Sequence, residues 1–517
     1  MSKLCCTILL VGCGFIGVLL IHPEDNRAWG NGFAYHGIPT EILLVELLHS
    51  HPHNRAEAAR ALGMKREEAA VQPLIARVQD EQERDVVKLA GLDALGHIGD
   101  PRALSPLIHV LYHEESADVR AGAAQALAHF SDEQAMTSLL RALHTDRKIL
   151  VQVSAIRALG HIRHERVVTA LLDVLRSPPH STRQTAAVQA LGQLGSPRAT
   201  TPLLALLRQT RSRTMRHETT KALGLIGDPQ AAQPLIAVMQ EADNDLLLKG
   251  IAITALGQIH DQRAVPPLIK ELDAQDLGIR LHVIRALGRL GERDATTSLV
   301  GLLQTLLTAA ASLPLEPVEA TFANHLRLLH EQIAVVQALR NIADPRSVDV
   351  LLSALEAHVF PQSSAEGLRL RAAAYQRRRA AMVALSTFKD HRVIETFIAL
   401  LGDTDVQIRA DSARLLGELG DRRGGLPLIA TLHDADADVR FEAIRALGKL
   451  RESRAVTPLI ARLNDPHTLV REQAILALAE LHDKRAIAAL KALRHSTTDA
   501  RVKRALAHAF EHMGLRE

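Results

Sequence analysis

The sequence predicts an all-α fold, a right-handed α-solenoid of about 13 two-helix repeats, on three observations. The hydrophobic fraction is 47% while aromatics make up only 3%. A core must then be built from Ala, Leu, Ile and Val, which suits closely packed helices. Second, Ala-Leu-Gly or a close variant recurs with its centre at Leu62, Leu95, Leu127, Leu159, Leu191, Leu223, Leu256, Leu287, Leu339, Leu385, Leu416, Leu447, Leu478 and Ala509. The step averages about 32 residues from Leu95 to Leu287 and about 31 residues from Leu385 to Ala509, a fixed period of the length that marks a stacked array. Third, each repeat carries a Pro-Leu-Ile-like landmark at a constant offset after the tripeptide, as at Pro106-Leu107-Ile108, Pro234-Leu235-Ile236 and Pro458-Leu459-Ile460.

The chain opens with Lys3 and an apolar run from Leu4 to Ile21, followed by Pro23, Glu24 and Asp25. This is the pattern of a secretory leader. The run also reaches the lower limit of length for a membrane span. Residues 1–30 are therefore read as a signal peptide, cut after Ala28-Trp29-Gly30, or as an N-terminal membrane anchor. Either puts the bulk of the chain outside the cytoplasm, periplasmic or secreted. Leu10-Val11-Gly12-Cys13 resembles a lipobox and makes Cys13 a candidate lipidation site. All three cysteines, Cys5, Cys6 and Cys13, lie in this leader, so the body holds no disulfide, Cys-based zinc site or Cys nucleophile. Residues 31–52 are expected to cap the array.

Within one repeat the first helix places Val119, Ala123, Ala126, Leu127 and Phe130 on one face, and the second places Ala103, Leu107, Val110 and Leu111 on another. Between them Gly99-Asp100-Pro101 supplies a C-cap, an N-cap and a first helical residue. Pro106 implies a bend or a late start of the second helix. Neither helix buries its face alone, so units must stack. Regular repeats are expected over residues 53–300 and 386–517, the latter with a C-terminal cap.

The stretch from Asp436 to Asp465 resembles the HEAT-like repeats first described in bilin lyases, and the likeness runs from about residue 53 to 513. That family includes scaffolds, lyase subunits and a di-iron hydroxylase, so the resemblance implies the fold more narrowly than the function. Arg120, Arg183, Arg216, Arg280, Arg409, Arg440 and Arg471 recur at the start of the first helix. They are expected to form ladders between units with acids such as Asp118 or Asp438.

Over residues 301–385 the period fails twice, between Leu287 and Leu339 and again between Leu339 and Leu385. The spacing between the two helices of a unit does not change, so about 21 and about 15 extra residues fall in one class of loop in consecutive units. The helices are expected to extend, to turn at Pro314 to Pro317 and near Pro361 to Gly367, and to form one protrusion. Arg369, Arg371, Tyr375, Arg377, Arg378 and Arg379 follow and are candidate partner-binding residues, as are Arg208, Arg211 and Arg213 in a linker.

Near-balanced charge, 61 Lys plus Arg against 58 Asp plus Glu, and scarce aromatics argue against sequence-specific nucleic-acid binding. The 26 His residues are scattered. His217-Glu218 resembles one ligand pair of the hydroxylase branch. His113-Glu114, His164-Glu165 and His330-Glu331 are out of register with it, and a single pair cannot hold two irons. His49, His51 and His53 alternate and could bind a metal, but in a loop before the first full unit they are read as a plain N-terminal segment. No catalytic, cofactor-binding or metal-binding residue is assigned. The expected function is a non-catalytic scaffold that binds a protein partner through the concave face and the 300–380 protrusion. A membrane tether at the N-terminus and self-association are compatible with this reading. The alternative is a lyase- or hydroxylase-type enzyme or enzyme subunit.

Overall fold

The computed structural model describes residues 38–176, 182–242, 244–313, 319–356 and 364–514. The leader with Cys13 and the two turns at Pro314 to Pro317 and near Pro361 lie outside the described residues. Those residues form 28 α-helices and no strand. None of these helices is long and apolar enough to cross a membrane.

The chain divides into two units at Ile226/Gly227. The first unit holds Thr40–Glu46, five helix pairs from Pro52–Lys65 with Val71–Gln79 to Thr182–Leu194 with Thr200–Gln209, and the helix Arg213–Ile226. The second opens with Ala232–Glu241. It continues through seven pairs, from Leu246–Ile259 with Val265–Lys270 to Thr468–Leu481 with Lys484–Ser496, and ends on Ala500–His512. In sequence these read as thirteen two-helix repeats, an α-solenoid as expected.

The recurrent tripeptide has a direct packing cause. Its Leu is wholly buried in every unit from Leu62 to Leu478 apart from Leu339, which is 1% exposed. Its Gly meets the Ala of the next unit's tripeptide: a Cβ on Gly63 would stand 2.6 Å from the Ala94 Cα, and one on Gly417 would stand 2.6 Å from the Ala446 Cα. First helices therefore approach so closely that a methyl group is excluded at the crossing.

Between the helices of a pair, Gly99, Gly195, Gly227, Gly291 and Gly420 take left-handed φ values of 67 to 73°. An Asp or Glu then accepts from a backbone N–H two residues on, as in Asp100, Asp261, Asp421, Glu452 and Asp483. Pro106 is the third residue of Leu104–His113, so the late start holds and no intrahelical bond is lost.

The expected ladder forms, with two corrections. The partner acid is not Asp118 or Asp438. It stands at the entry to the next unit: Arg120 binds Asp146 at 2.9 and 3.2 Å, Arg409 binds Asp434 at 2.8 and 3.0 Å, and Arg440 binds Asp465 at 2.9 Å twice. The same guanidinium donates back to its own linker, as Arg440 does to the Asp434 and Ala435 carbonyls at 2.8 and 3.0 Å. The register is seven residues before the central Leu. Arg183 is one residue off, and Gln184 fills the place by donating to the Leu175 carbonyl at 2.8 Å. Arg55, Lys88, Gln152 and Lys249 occupy it elsewhere, with Glu83, Glu114, the Asp146 carbonyl and Glu271 as partners.

Candidate interaction surface

Regular first helices begin ten residues before their central Leu, as Val406 does before Leu416 and Thr468 before Leu478. Glu319–Ile342 and Ala365–Leu385 each begin twenty before theirs. At 1.5 Å per residue the extra ten carry each helix about 15 Å past its neighbours. The preceding second helix, Thr296–Ala311, also runs long. The two extensions are adjacent and close a small core of their own: Leu329, Leu370, Ala373 and Ala374 are buried, and Phe322 and Leu326 pack against them. The single protrusion expected from the spacing is present. Ser364 caps its second helix by accepting from the Gly367 N–H at 3.0 Å.

The base of the protrusion is held by buried polar groups. Arg280 reaches past the inserted residues to Glu331 at 2.6 and 3.1 Å. Gln332, in the ladder register, is fully buried and donates to the Leu306 carbonyl at 2.8 Å. Arg377 donates to the Gln332 Oε1 at 3.3 Å and to the Glu356 carbonyl at 2.6 Å. Burial, together with the neighbouring Arg378, lowers the Arg377 pKa to about 10. Arg378 donates to the Leu355 carbonyl at 2.8 Å and to Asp403 at 3.2 Å.

Arg377 and Arg378 therefore leave the set of docking candidates. Arg377 is 0% exposed and Arg378 7%. Arg378 stands seven residues before Leu385, so it is the ladder residue of its unit. Counting back from Leu385 would have found it.

The other candidates stay at the surface. Arg369 and Arg379 are exposed, Arg371 and Tyr375 half-buried, and Leu368 is 56% exposed beside Arg369. The Tyr375 hydroxyl donates to Asp411 at 3.2 Å, and Arg379 Nε lies 3.5 Å from the same carboxylate. Burial and then the Asp411 charge push the Tyr375 pKa up. Asp411 also belongs to a groove of about 460 Å³ that sequence reasoning missed, lined by Arg414, Asp438, Phe441, Glu442 and Leu469 among others. Burial raises the Glu442 pKa despite Arg445 at 2.7 Å. Leu469 is 50% exposed there, and an apolar residue at the outward position nine before Leu478 was the available signal. In the first unit, Arg208 near the end of Thr200–Gln209, Arg211 in the linker and Arg213 at the start of Arg213–Ile226 are all exposed.

Members of three of the histidine and glutamate pairs, and two of the alternating histidines, are absorbed into the scaffold. Glu114 and Glu331 are ladder acids for Lys88 and Arg280. His164 and His51 cap helices, accepting from Arg166 N at 3.1 Å and His53 N at 3.3 Å. His49 accepts from His51 N at 3.0 Å. Among the described residues no group of three or more His, Cys, Asp or Glu is placed to hold a metal ion.

The model for HEAT repeats matches residues 40–128, 106–192, 184–250, 241–311 and 425–511. The chain belongs to the HEAT-repeat family. The model for the PBS lyase HEAT-like repeat matches 331–357, the extended unit. No curated protein matches this HEAT-repeat chain. Among solved structures it is similar to yeast importin-beta (Kap95p), at 15% identity and a TM-score of 0.52, covering 96% of this chain and 70% of that one. It is also similar to the karyopherin Kap121p bound to the extreme C-terminus of the protein phosphatase Cdc14p, at 15% identity and 0.53, covering 92% and 59%. The complex of CpcE and CpcF of phycocyanin lyase from Nostoc matches at 24% identity but a TM-score of 0.31, covering 50% of this chain and 97% of that one. The two karyopherin likenesses show the fold alone.

Proposed function

We propose that this HEAT-repeat chain is a non-catalytic scaffold that binds a protein partner through its protrusion and that it works outside the cytoplasm. One observation carries the first part: two consecutive first helices are each lengthened by ten residues and spend the added length on a separate small core. A neutral loop expansion has no need of a buried Leu370 or of a capped helix start. The face left over presents Leu368 and Arg369 to solvent. An apolar side chain beside Arg suits an interface centre, where burying one Leu contributes roughly 1.5–3 kcal/mol. Kap121p, a neighbour in fold, is described with a protein segment bound, and this supports the reading by analogy only. The apolar run Leu4 to Ile21 and the Cys-free body support the location.

The test is cross-linking of full-length protein in its native host, with mass spectrometry of what is attached, for wild type and for Leu368→Asp/Arg369→Glu. Both side chains are exposed, so circular dichroism should be unchanged while one partner disappears. Equal recovery of every attached protein would sink the proposal. Stoichiometric iron or a bilin absorbance band in the purified protein would replace it with the enzyme alternative. Protease accessibility in intact cells tests the location.

A further inference from the structure

In the first unit the helices Ile149–Leu159, Thr182–Leu194 and Arg213–Ile226 pack side by side in that order. The starts of these helices therefore follow one another along one edge. The first presents Arg147, Lys148, Ile149 and Leu150, all exposed, with Ile149 at 61% and Leu150 at 47%. Arg176, just past the helix Glu165–Leu175, is exposed, as are Arg208 and Arg211 ahead of the third helix. Only two acids accompany these five cations over residues 146–150, 173–176 and 208–211. Asp146 is consumed by the ladder, accepting from Arg120 at 2.9 and 3.2 Å, and Asp173 lies 2.8 Å from Arg176. The ladder thus turns one of the two negative charges inward and leaves the edge cationic.

We propose that this edge docks on an anionic lipid surface, with Ile149 and Leu150 entering the headgroup layer and the flanking cations meeting lipid phosphates. Stacked repeats are about 10 Å apart, so three neighbouring helix starts span about 20 Å in a row. A charged plane reaches all three at once. A protein partner would need a pocket for two aliphatic side chains and carboxylates at three separate stations. Aliphatic residues beside Arg and Lys are the combination that an interfacial site uses.

The measurement is co-sedimentation of the full chain with vesicles of phosphatidylcholine alone and of phosphatidylcholine with phosphatidylglycerol. Any contribution of the apolar N-terminal run is common to both vesicles, so the readout is the ratio of the two partition coefficients. For wild type the ratio should be about 10 or more at low salt and fall toward 1 near roughly 0.5 M salt. Arg208→Glu/Arg211→Glu should bring it toward 1 at low salt, and Arg147→Glu/Lys148→Glu should do the same. Ile149→Ser/Leu150→Ser should weaken binding to the anionic vesicles several-fold and leave its salt dependence in place. A wild-type ratio near 1 overturns the proposal, as does an unchanged ratio in both charge-reversed variants with unchanged circular dichroism. Retention on immobilised polyglutamate with a vesicle ratio near 1 would overturn it in favour of an acidic polypeptide.

Discussion

Removing one ladder guanidinium tests how the units are held together. In the pair Arg440–Asp465 the side chains are 7% and 0% exposed, and the carboxylate accepts two bonds of 2.9 Å. Burial alone would raise the Asp465 pKa, but the Arg440 bonds, the His467 N–H and the charges of Arg440 and Arg462 together outweigh it, and the net shift is downward. Arg440→Met keeps much of the side-chain volume and strands a buried carboxylate. Its remaining partners are the His467 N–H at 3.0 Å and Arg462 at 3.7 Å. Breaking such a pair costs about 3–5 kcal/mol, and the surviving partners put this one near the lower figure, ~3 kcal/mol. A repeat array need not unfold as one unit, so the measurement is amide hydrogen exchange read helix by helix. Exchange in Thr468–Leu481 should accelerate roughly 150-fold, the equivalent of that energy. Asp465→Asn added to Arg440→Met should recover at least half of the loss, because the uncompensated charge is gone. The pair of Arg471 with Asp499 is more open, its side chains 22% and 30% exposed. The matching substitution there should cost under about 1 kcal/mol. Equal effects at Arg440 and Arg471, or no recovery in the double variant, would refute the account of the ladder.

Gly417→Ala should destabilise by about 1–3 kcal/mol in denaturant unfolding, because its Cβ would stand 2.6 Å from the Ala446 Cα. Arg451 holds a left-handed φ of 50°, in a region that Gly420 takes freely in the preceding unit. Arg451→Gly should therefore stabilise by up to about 1 kcal/mol, seen as a raised melting temperature. Asp344, whose pKa is held at about 2 by Arg346, contributes stability that is full above its unfolded pKa of about 4 and is lost as pH falls from there toward 2. Melting temperature should therefore decline across that window, and Asp344→Asn should flatten part of the decline.

The fold was legible because its cause is periodic. Leu447, Gly448 and their counterparts announce a core position and a close crossing at fixed spacing, and the turn residues Gly420 and Asp421 announce the break between helices. The protrusion was legible for a related reason, since constant spacing within a unit and altered spacing between units locate an insertion. What could not be read was the commitment of each polar side chain. Arg377 and Arg378 look like a surface cluster with Arg379, yet consecutive residues on a helix point about 100° apart, and two of the three point inward. The ladder acids were misassigned for a similar reason: Asp146 and Asp465 lie 26 and 25 residues downstream of Arg120 and Arg440, next to them only once units stack. The groove around Asp411 is assembled from three first helices and has no signature in any one of them.

Those internal commitments decide where a partner can act. In a regular unit the ladder cation is tied to an acid of the next unit, and the Arg beside each helix start is tied to its capping acid. Arg423 to Asp421, Arg454 to Glu452 and Arg485 to Asp483 are examples, at 2.7 to 2.8 Å. Such cations have much of their hydrogen-bonding capacity used within the fold. The near-balance of 61 cations and 58 acids over the whole chain therefore hides an uneven remainder. Arg208, in the last turn of a second helix, and Arg211, in the linker after it, stand where the repeat pattern demands no cation, and Arg369 lies on added helix that the repeat does not require. Charge that the fold does not use is the charge available for recognition. The two surfaces belong to different units, so Arg208→Glu/Arg211→Glu should leave partner cross-linking at Leu368 and Arg369 intact, and Leu368→Asp/Arg369→Glu should leave the vesicle ratio intact. Loss of both activities in either variant would mean that one surface serves both, and that the separation drawn from these residues is wrong.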